Sequence, residues 1–123
     1  MKKERKDNEK KVVQEEHYDF LILGAGVTGL AAAMYGARLG LKTLCLGATH
    51  SAELPIGGVI TTTNIVENYP GFIRLSGSEL AENIKKHAES YELVTILEER
   101  AESVEKRGNK FIVKTDKNIY HAK

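Results

Sequence analysis

The sequence has little cysteine and no long apolar run, and each shortage excludes a class of protein. Its one cysteine, Cys45, excludes an internal disulfide and a Cys-x-x-Cys redox pair within these 123 residues. No apolar stretch approaches the roughly 18 residues that a membrane-spanning helix needs, so we expect no membrane interaction. The charge is nearly balanced, at net +1, which gives no basis for a nucleic-acid partner.

The beginning of the chain lacks the pattern of a secretion signal. Its basic residues are followed by further charge and not by an apolar segment, so we expect a cytoplasmic location. Residues 1–16 mix both charge signs with few apolar side chains. This composition predicts a disordered tail, because such a segment buries too little surface to offset the entropy lost on ordering. The remaining residues, 17–123, are one domain at most.

An apolar strand followed by closely spaced glycines organises the rest of the chain. The stretch from Asp19 to Leu23 is nearly all apolar, a pattern typical of a parallel strand in the middle of a sheet. Gly24, Gly26 and Gly29 follow in G-x-G-x-x-G spacing where a helix begins. Such glycines permit a tight turn, the approach of a pyrophosphate to the helix N-terminus, and close packing of helix on strand. The pattern predicts dinucleotide binding, with a purely structural turn as the alternative.

The helix after this turn leads into a second strand. Gly40 is predicted to end the helix, and 42–46 is predicted to be a strand that runs parallel to the first and buries Cys45. In many dinucleotide folds an acidic residue ends this strand and holds a ribose, but Gly47 stands there and Glu53 is a candidate substitute. The predicted apolar face of the helix, at spacings of three and four, is Val27, Leu30, Ala31, Met34, the stem of Arg38, and Leu41.

The second half of the chain predicts a helix, a strand and a small antiparallel meander. Residues 57–72 show neither the periodicity of a helix nor that of a strand, so we predict a loop or a binding surface there. A capping box of Ser76 and Glu79 begins a helix predicted over 75–91, and 94–97 is a third parallel strand, in the sheet order three, two, one. The four histidines lack the spacing of a zinc site. The predicted meander strands, separated by turn residues, are 101–106, 110–115 and 119–122.

Several of these motifs together resemble one family. The segments GAGVTG, GGVITTTNIVENYPGF and SGSEL and the final meander are similar to the N-terminal FAD-binding portion of the low-molecular-weight thioredoxin reductases. The resemblance runs from about Tyr18 to Lys123. It implies an α/β fold, a Rossmann-like three-layer β-β-α domain with a partial parallel sheet plus the small meander, and FAD at the first β-α-β unit. In a complete member, electrons pass from NAD(P)H through FAD to a protein disulfide.

The resemblance also implies which residues contact FAD. The pyrophosphate would lie over 24–29, the pair Gly57 and Gly58 beside the flavin, Asn68 near the isoalloxazine, and the backbone at 100–101 against the adenine. No catalytic residue and no metal site is expected, because the chemistry would be that of the flavin. The implied cofactor-binding residues are Gly24, Ala25, Gly26, Val27, Thr28, Gly29, Gly47, Gly57, Gly58, Val59, Thr63, Asn68, Arg100 and Ala101.

The sequence departs from the family in three respects. Val59 occupies a position where the family usually has a glutamine that donates to the flavin ring, and valine cannot form a hydrogen bond. The loop over 48–56 looks longer than usual. The NADPH-binding domain with its Cys-x-x-Cys and the C-terminal flavin segment are absent, so the first strand would be left at an open sheet edge. We therefore expect 17–123 to be an incomplete FAD-binding domain.

The missing parts determine which partners the resemblance implies. A second chain or a C-terminal half would complete the sheet and bind NADPH, and the complete protein would be a homodimer that reduces a thioredoxin-like protein. Two other functions remain open. A relative of ferredoxin–NADP reductase without the cysteine pair would carry the same residues, and a non-catalytic nucleotide-binding module would have no redox turnover. A flavin absorption spectrum distinguishes the module from the two reductases.

Overall fold

The computed structural model describes residues 15–47 and 56–123, and its strands form two sheets. Strands β2, β3 and β4 form a parallel sheet in that order, and the second sheet has the order β1-β7-β6-β5. The elements are β1 (Glu15–Tyr18), β2 (Phe20–Leu23), α1 (Val27–Arg38), β3 (Thr43–Gly47), a short 3₁₀ helix (Gly58–Thr62), α2 (Gly77–Glu89), β4 (Val94–Glu98), β5 (Ala101–Arg107), β6 (Lys110–Thr115) and β7 (Ile119–Ala122).

The parallel sheet is the middle of three layers. Side chains along a strand alternate between its two faces, and β3 is fully buried on both. Cys45 packs with Leu30 and Ala33 of α1 on the helix side of the sheet. Leu44 and Leu46 pack on the opposite side, against the second sheet. The predicted three-layer β-β-α arrangement and the strand order three, two, one are therefore confirmed.

Helix α1 ends as predicted, but the prediction of its buried face was partly wrong. Gly40 has φ of +84°, and its N–H donates to the carbonyl of Ala37 while Leu41 N–H donates to Gly36, which is a Schellman motif. The helix therefore stops before Leu41, and both Arg38 and Leu41 are exposed. The buried residues of α1 are Leu30, Ala33, Gly36 and Ala37.

Small residues allow α1 to lie close to the parallel sheet. A Cβ atom added at Gly36 would lie 2.6 Å from Cδ1 of Phe20 on β2 and 2.8 Å from Oγ1 of Thr43 on β3. Real Cβ atoms do not approach other atoms so closely, so the helix would have to move away from the sheet. The predicted face was built on large apolar side chains and therefore left out Gly36, which makes this close contact. It differs from the observed face by about one residue position.

The predicted capping box begins α2. The Ser76 hydroxyl accepts a hydrogen bond from Glu79 N–H at 3.1 Å, and the Glu79 carboxylate accepts one from Ser76 N–H at 3.2 Å. Leu80, Ala81 and Ala88 are buried on the helix face toward the core. His87 is exposed and stacks on Tyr91, with ring centroids 6.2 Å apart. The helix holds the 3₁₀ segment and the following loop against the sheet.

Strand β1 was not predicted. The sequence assigned 1–16 to a disordered tail, but Glu15 and Glu16 belong to β1, which pairs in parallel with β7 at the other end of the chain. His17 stacks on His121 across this pair at 4.6 Å, and Tyr18 packs against Tyr120 in the core between the two sheets. The predicted tail boundary is wrong by two residues, and residues 1–14 lie outside the described part.

Strand β2 lies at an edge of the parallel sheet. Within the described residues it pairs with β3 on one side only. Half of the surface of Leu23 is exposed, and apolar side chains at Tyr35 and Leu39 on the neighbouring helix are 60% and 76% exposed. Since the sequence of β2 is typical of a strand inside a sheet, this edge is where we expect further strands. None of the helices in 15–47 and 56–123 is long and apolar enough to cross a membrane.

The double-sided core at β3 predicts a large effect of one substitution. We expect Leu44→Ala to lower the free energy of unfolding by about 2–5 kcal/mol, because Leu44 is fully buried and its neighbours relax only partly into the cavity left behind. Leu39→Ala removes the same atoms from a side chain that is 76% exposed and is expected to change stability by less than about 0.5 kcal/mol. Urea unfolding monitored by circular dichroism measures both, and equal effects would contradict the described core.

Candidate nucleotide-binding site

The candidate site follows the carboxyl edge of the parallel sheet. Leu23 pairs with Leu46 and Leu46 with Leu97, so the ends of β2, β3 and β4 lie side by side. Neighbouring strands are about 4.8 Å apart, and the carboxyl edge is where open parallel sheets bind their ligands. Three predicted stretches follow these three ends: the glycine turn after β2, Gly47 at the end of β3, and Arg100–Ala101 after β4.

The turn after β2 is closed by its first and last glycines. Gly24 has φ of +113°, a region that residues with a side chain rarely adopt, and its N–H donates to the Leu46 carbonyl at 2.8 Å. A Cβ atom at Gly29 would lie 1.8 Å from the carbonyl oxygen of Gly24. No side chain can therefore replace Gly29 while the helix keeps its place on β2, as the sequence predicted.

The N-terminus of α1 is open to an anion. Gly26 is the N-cap residue, with no side-chain cap and no acidic residue in the first helical turn, which also contains Val27 and Thr28. The first amides of a helix lack partners within it, and the helix dipole adds partial positive charge there. Among the described residues, a Cβ atom at Gly26 would meet only the Gly57 carbonyl oxygen, at 3.9 Å, which leaves room beside this backbone. These features suit the pyrophosphate of a dinucleotide.

A second pair of glycines lies against this turn. Gly57 N–H donates to the carbonyl of Ala25 at 2.8 Å, and Gly57 forms a parallel bridge with Gly26. A Cβ atom at Gly58 would lie 3.5 Å from the Gly26 Cα. At the end of β3, a Cβ atom at Gly47 would lie 2.7 Å from that of Ala25. The structure thus brings together the predicted residues from Gly24 to Gly29 with Gly47, Gly57 and Gly58.

The residues after the glycine pair face outward from the 3₁₀ helix. Val59 is 72% exposed, so its side chain contributes little to the core. Because it is a valine, it also offers no hydrogen-bond donor at this position. Thr63 is also exposed, and its carbonyl accepts from Gly77 N–H at 2.9 Å, which joins the segment to α2. The hydroxyl groups of Thr61 and Thr62 donate to carbonyls within the 3₁₀ helix at 2.7 Å.

Asn68 lies in an exposed loop that is closed by paired hydrogen bonds between Val66 and Leu75. A turn within this loop, from Tyr69 to Phe72, has Gly71 at φ of +101°. Within the described residues, the Asn68 amide forms no hydrogen bond that would fix it toward the glycines. Its placement beside an isoalloxazine stays a prediction. Glu53, the candidate ribose ligand, and nearly all of the 48–56 loop lie outside the described residues.

Arg100 and Ala101 lie where the chain passes from the parallel sheet to the meander. Both backbone groups of Arg100 are engaged by Asp116: Arg100 N–H donates to Asp116 Oδ1 at 3.1 Å, and the Arg100 carbonyl accepts from Asp116 N–H at 3.1 Å. Arg100 is exposed, and Ala101 is half-buried against the core between the sheets. The predicted contact of this backbone with adenine stays a prediction.

A buried carboxylate next to this step was missed by the sequence analysis. Glu99 is 6% exposed and accepts hydrogen bonds from Thr115 Oγ1 at 2.8 Å, Tyr120 Oη at 2.7 Å and Asn118 Nδ2 at 2.9 Å. Burial, followed by the hydrogen bond to Glu99, raises the pKa of Tyr120, so the phenol remains protonated and donates. The only sequence signal was a pair of glutamates after an apolar strand, of which Glu99 is the second.

Cys45 lies below the glycine turn. Its side chain is fully buried in β3, and its thiol is 3.5 Å from the carbonyl oxygen of Gly24. Burial raises the pKa of this thiol to about 11, because the thiolate would lose its hydration. The thiol is therefore neutral and unreactive at neutral pH, and the predicted burial of Cys45 is confirmed.

The shifted pKa of Cys45 predicts how stability depends on pH. An unfolded thiol ionises near pH 8.5, whereas the folded one ionises at about 11, so the folded state loses stability as the pH rises through this range. Below pH 8 the contribution of Cys45 is fully present. We expect urea unfolding to show this loss in the wild type and a smaller one in Cys45→Ala, and iodoacetamide to react slowly until urea is added. Equal alkylation rates with and without urea would contradict the burial.

Comparison with known proteins identifies relatives, although no protein-family model matches. A 34.2 kDa protein in the rubredoxin operon of Clostridium pasteurianum is 37% identical over 110 residues, which cover 89% of this chain and 34% of that protein. The thioredoxin reductase of Treponema pallidum is 37% identical over 109 residues, or 88% of this chain and 34% of the relative. This chain therefore spans about a third of the length of the relatives it matches.

The fold agrees with these sequence matches. The crystal structure of thioredoxin reductase from Streptococcus pyogenes superposes with a TM-score of 0.79 at 33% identity, over 87% of this chain and 33% of that one. Since the superposed region covers 87% of this chain, the match extends far beyond the glycine turn. The predicted resemblance and fold class are confirmed.

Proposed function

Because this chain belongs to the thioredoxin reductase family, we propose that it is the FAD-binding part of a flavoprotein that moves electrons from NAD(P)H to a protein disulfide. The observation that carries the proposal is the open N-terminus of α1. There Gly26 is partly exposed, no side chain of the described residues caps the helix, and the first helical turn contains no acidic residue. A purely structural turn has no need for this combination.

The residues of the chain would hold the cofactor rather than react with it. The amides at 26–29 would bind the pyrophosphate, Gly57 and Gly58 would let the backbone lie beside the flavin, and the step at 100–101 would lie toward the adenine. When bound, FAD would accept a hydride from a nicotinamide and pass on its two electrons, with release of the proton. The described residues would hold and orient the cofactor. The buried Cys45 thiol is neutral and would take no part in the electron transfer.

The remaining parts of the electron path would come from outside these residues. A second chain, or the two thirds of the relatives that this chain does not span, would cover the open edge of β2 and the exposed side chains Leu23, Tyr35 and Leu39. That part would also bind NADPH and carry the disulfide that receives the electrons. A thioredoxin-like substrate and a homodimer belong to this complete assembly.

Gly26 offers a substitution that separates binding from folding. Its φ is −77°, and an added Cβ would make only an ordinary van der Waals contact with the Gly57 carbonyl oxygen among the described residues, at 3.9 Å, so Gly26→Val is expected to fold normally. The branched side chain would occupy the path of the phosphate and lower the affinity for FAD by about tenfold or more, a loss of about 1.4 kcal/mol. Quenching of FAD fluorescence measures the affinity, and urea unfolding measures the stability.

Gly108→Ala is the matched control for Gly26→Val. Gly108 has φ of +63° in the turn between β5 and β6, and no atom of residues 15–47 and 56–123 would lie within 4 Å of an added Cβ. This substitution is expected to cost about 1 kcal/mol of stability through backbone strain and to leave FAD affinity unchanged. Wild-type affinity in Gly26→Val would exclude the proposed phosphate site. Binding of adenine nucleotides without flavin would favour the non-catalytic module.

Val59 tests the flavin end of the proposed site. Because its side chain is 72% exposed, Val59→Gln is expected to leave stability unchanged while restoring a donor toward the flavin ring. One additional hydrogen bond is worth about 0.5–1.5 kcal/mol, so FAD should bind about twofold to tenfold more tightly. Val59→Leu, which adds no donor, is the control in the same titration. Equal affinities of both variants would place residue 59 away from the flavin.

A further inference from the structure

The passage from β4 to β5 is held by the turn between β6 and β7, which bonds to three successive residues, 98–100. Lys117 Nζ donates to the Glu98 carbonyl at 3.4 Å, the Glu99 carboxylate accepts three side-chain hydrogen bonds, and both backbone groups of Arg100 bond to Asp116. All of these partners lie in 115–120, which contains the turn between β6 and β7 and the strand residues beside it. A connection between two sheets is normally a mobile part of a fold, so this density of bonds is unusual.

The Glu99 carboxylate is itself fixed by a closed network. Asn118 Nδ2 donates both to Glu99 Oε1, at 2.9 Å, and to Tyr120 Oη, at 3.2 Å. Thr115 Oγ1, which donates to Glu99, also accepts from the N–H groups of Lys117 and Asn118. Because each buried polar group has a partner, the network holds one arrangement of the turn relative to β4. At 6% exposure, Glu99 is too buried to contact a ligand directly.

The place of this passage in the sheet connects it with the nucleotide. A pyrophosphate on the turn after β2 extends its nucleoside across the end of β3, where dinucleotide folds hold the ribose. The next strand in that direction is β4, since Gly47 pairs with Glu98. The base of the nucleotide would therefore reach the chain at 99–101, directly above the network.

We propose that Glu99 and Asp116 are positioning residues that fix the backbone at 100–101 for the adenine end of FAD. This inference rests on the proposed function. Asp116 occupies both backbone groups of Arg100, so the adenine is recognised through the backbone of Ala101 and the exposed face of Arg100. The turn between β6 and β7 thus shapes the cofactor site without contacting the cofactor. Its effect is confined to ligands that carry the adenosine moiety.

Asp116 provides the sharper test, because its side chain is exposed and its loss leaves the core intact. The full 123-residue chain is titrated with FAD, with ADP, and with FMN, which has the flavin and one phosphate but no adenosine. Asp116→Ala removes the acceptor for Arg100 N–H and is expected to weaken FAD and ADP by about threefold to tenfold, with FMN unchanged. Asp116→Asn keeps the oxygen acceptor and should restore both affinities.

Glu99 is tested in the same way. Glu99→Ala leaves the Thr115, Tyr120 and Asn118 donors without their acceptor, and it should weaken FAD and ADP at least as much as Asp116→Ala. Glu99→Gln keeps an oxygen for Thr115 and Tyr120 and should recover part of the affinity. If Glu99→Ala does not fold, the two Asp116 variants decide. Glu105→Ala, on an exposed residue of β5, is the control and should bind all three ligands as the wild type does.

Failure of this inference is distinguishable from failure of the proposed function. Wild-type chain that binds FAD, together with Asp116→Ala that binds FAD and ADP equally well, would overturn the positioning role alone. An equal loss of FMN affinity would also overturn it, because the effect would then be a general disturbance of the fold. Wild-type chain that binds neither FAD nor ADP would overturn the proposed function, and the positioning role with it.

Discussion

The close contact between the first and last glycines of the turn after β2 determines most of this structure. The Gly24 carbonyl oxygen lies where a Cβ of Gly29 would be, so β2 and α1 can meet only if residue 29 has no side chain. This contact directs the N-terminus of α1 along the carboxyl edge of the sheet. Gly57 docks against the same turn, through its hydrogen bond to the Ala25 carbonyl and its bridge with Gly26. The proposed binding of a phosphate at the turn rests on this packing.

The two sheets have different roles around that turn. The parallel sheet presents the ends of three strands in a row, and Leu44 and Leu46 join it to the second sheet across a continuous core. The second sheet also contacts the chain just after β4, where the buried carboxylate of Glu99 binds Thr115 and Tyr120 and fixes the passage between the sheets. One end of the candidate site is therefore set by helix packing and the other by a polar network. The open edge of β2 lies beyond the first end.

Features with a local cause could be predicted from the sequence. The glycine spacing, the capping box of Ser76 and Glu79, and the meander all depend on residues a few positions apart. The family resemblance added the three-layer arrangement and the candidate FAD residues. Those of 24–29, 47, 57 and 58 come together in the structure, whereas the contacts predicted for Asn68 and for Arg100–Ala101 stay predictions.

Features that depend on distant partners could not be predicted. Strand β1 is highly charged and forms because β7, at the far end of the chain, offers it a parallel edge. The Glu99 network joins residues 16 to 21 positions apart, and no periodicity marks them. The buried face of α1 was misplaced because its closest contact to the sheet is made by Gly36, which has no side chain to reveal it.

The central claim is that a dinucleotide phosphate binds the backbone at the N-terminus of α1. Amide chemical shifts of the ¹⁵N-labelled chain during titration with FAD test it most directly, because each glycine amide reports separately. The account predicts that the largest shifts occur at Gly26, Val27 and Thr28, with smaller ones at Gly57 and Gly58. Shifts confined to other parts of the chain, with those amides unchanged, would contradict it.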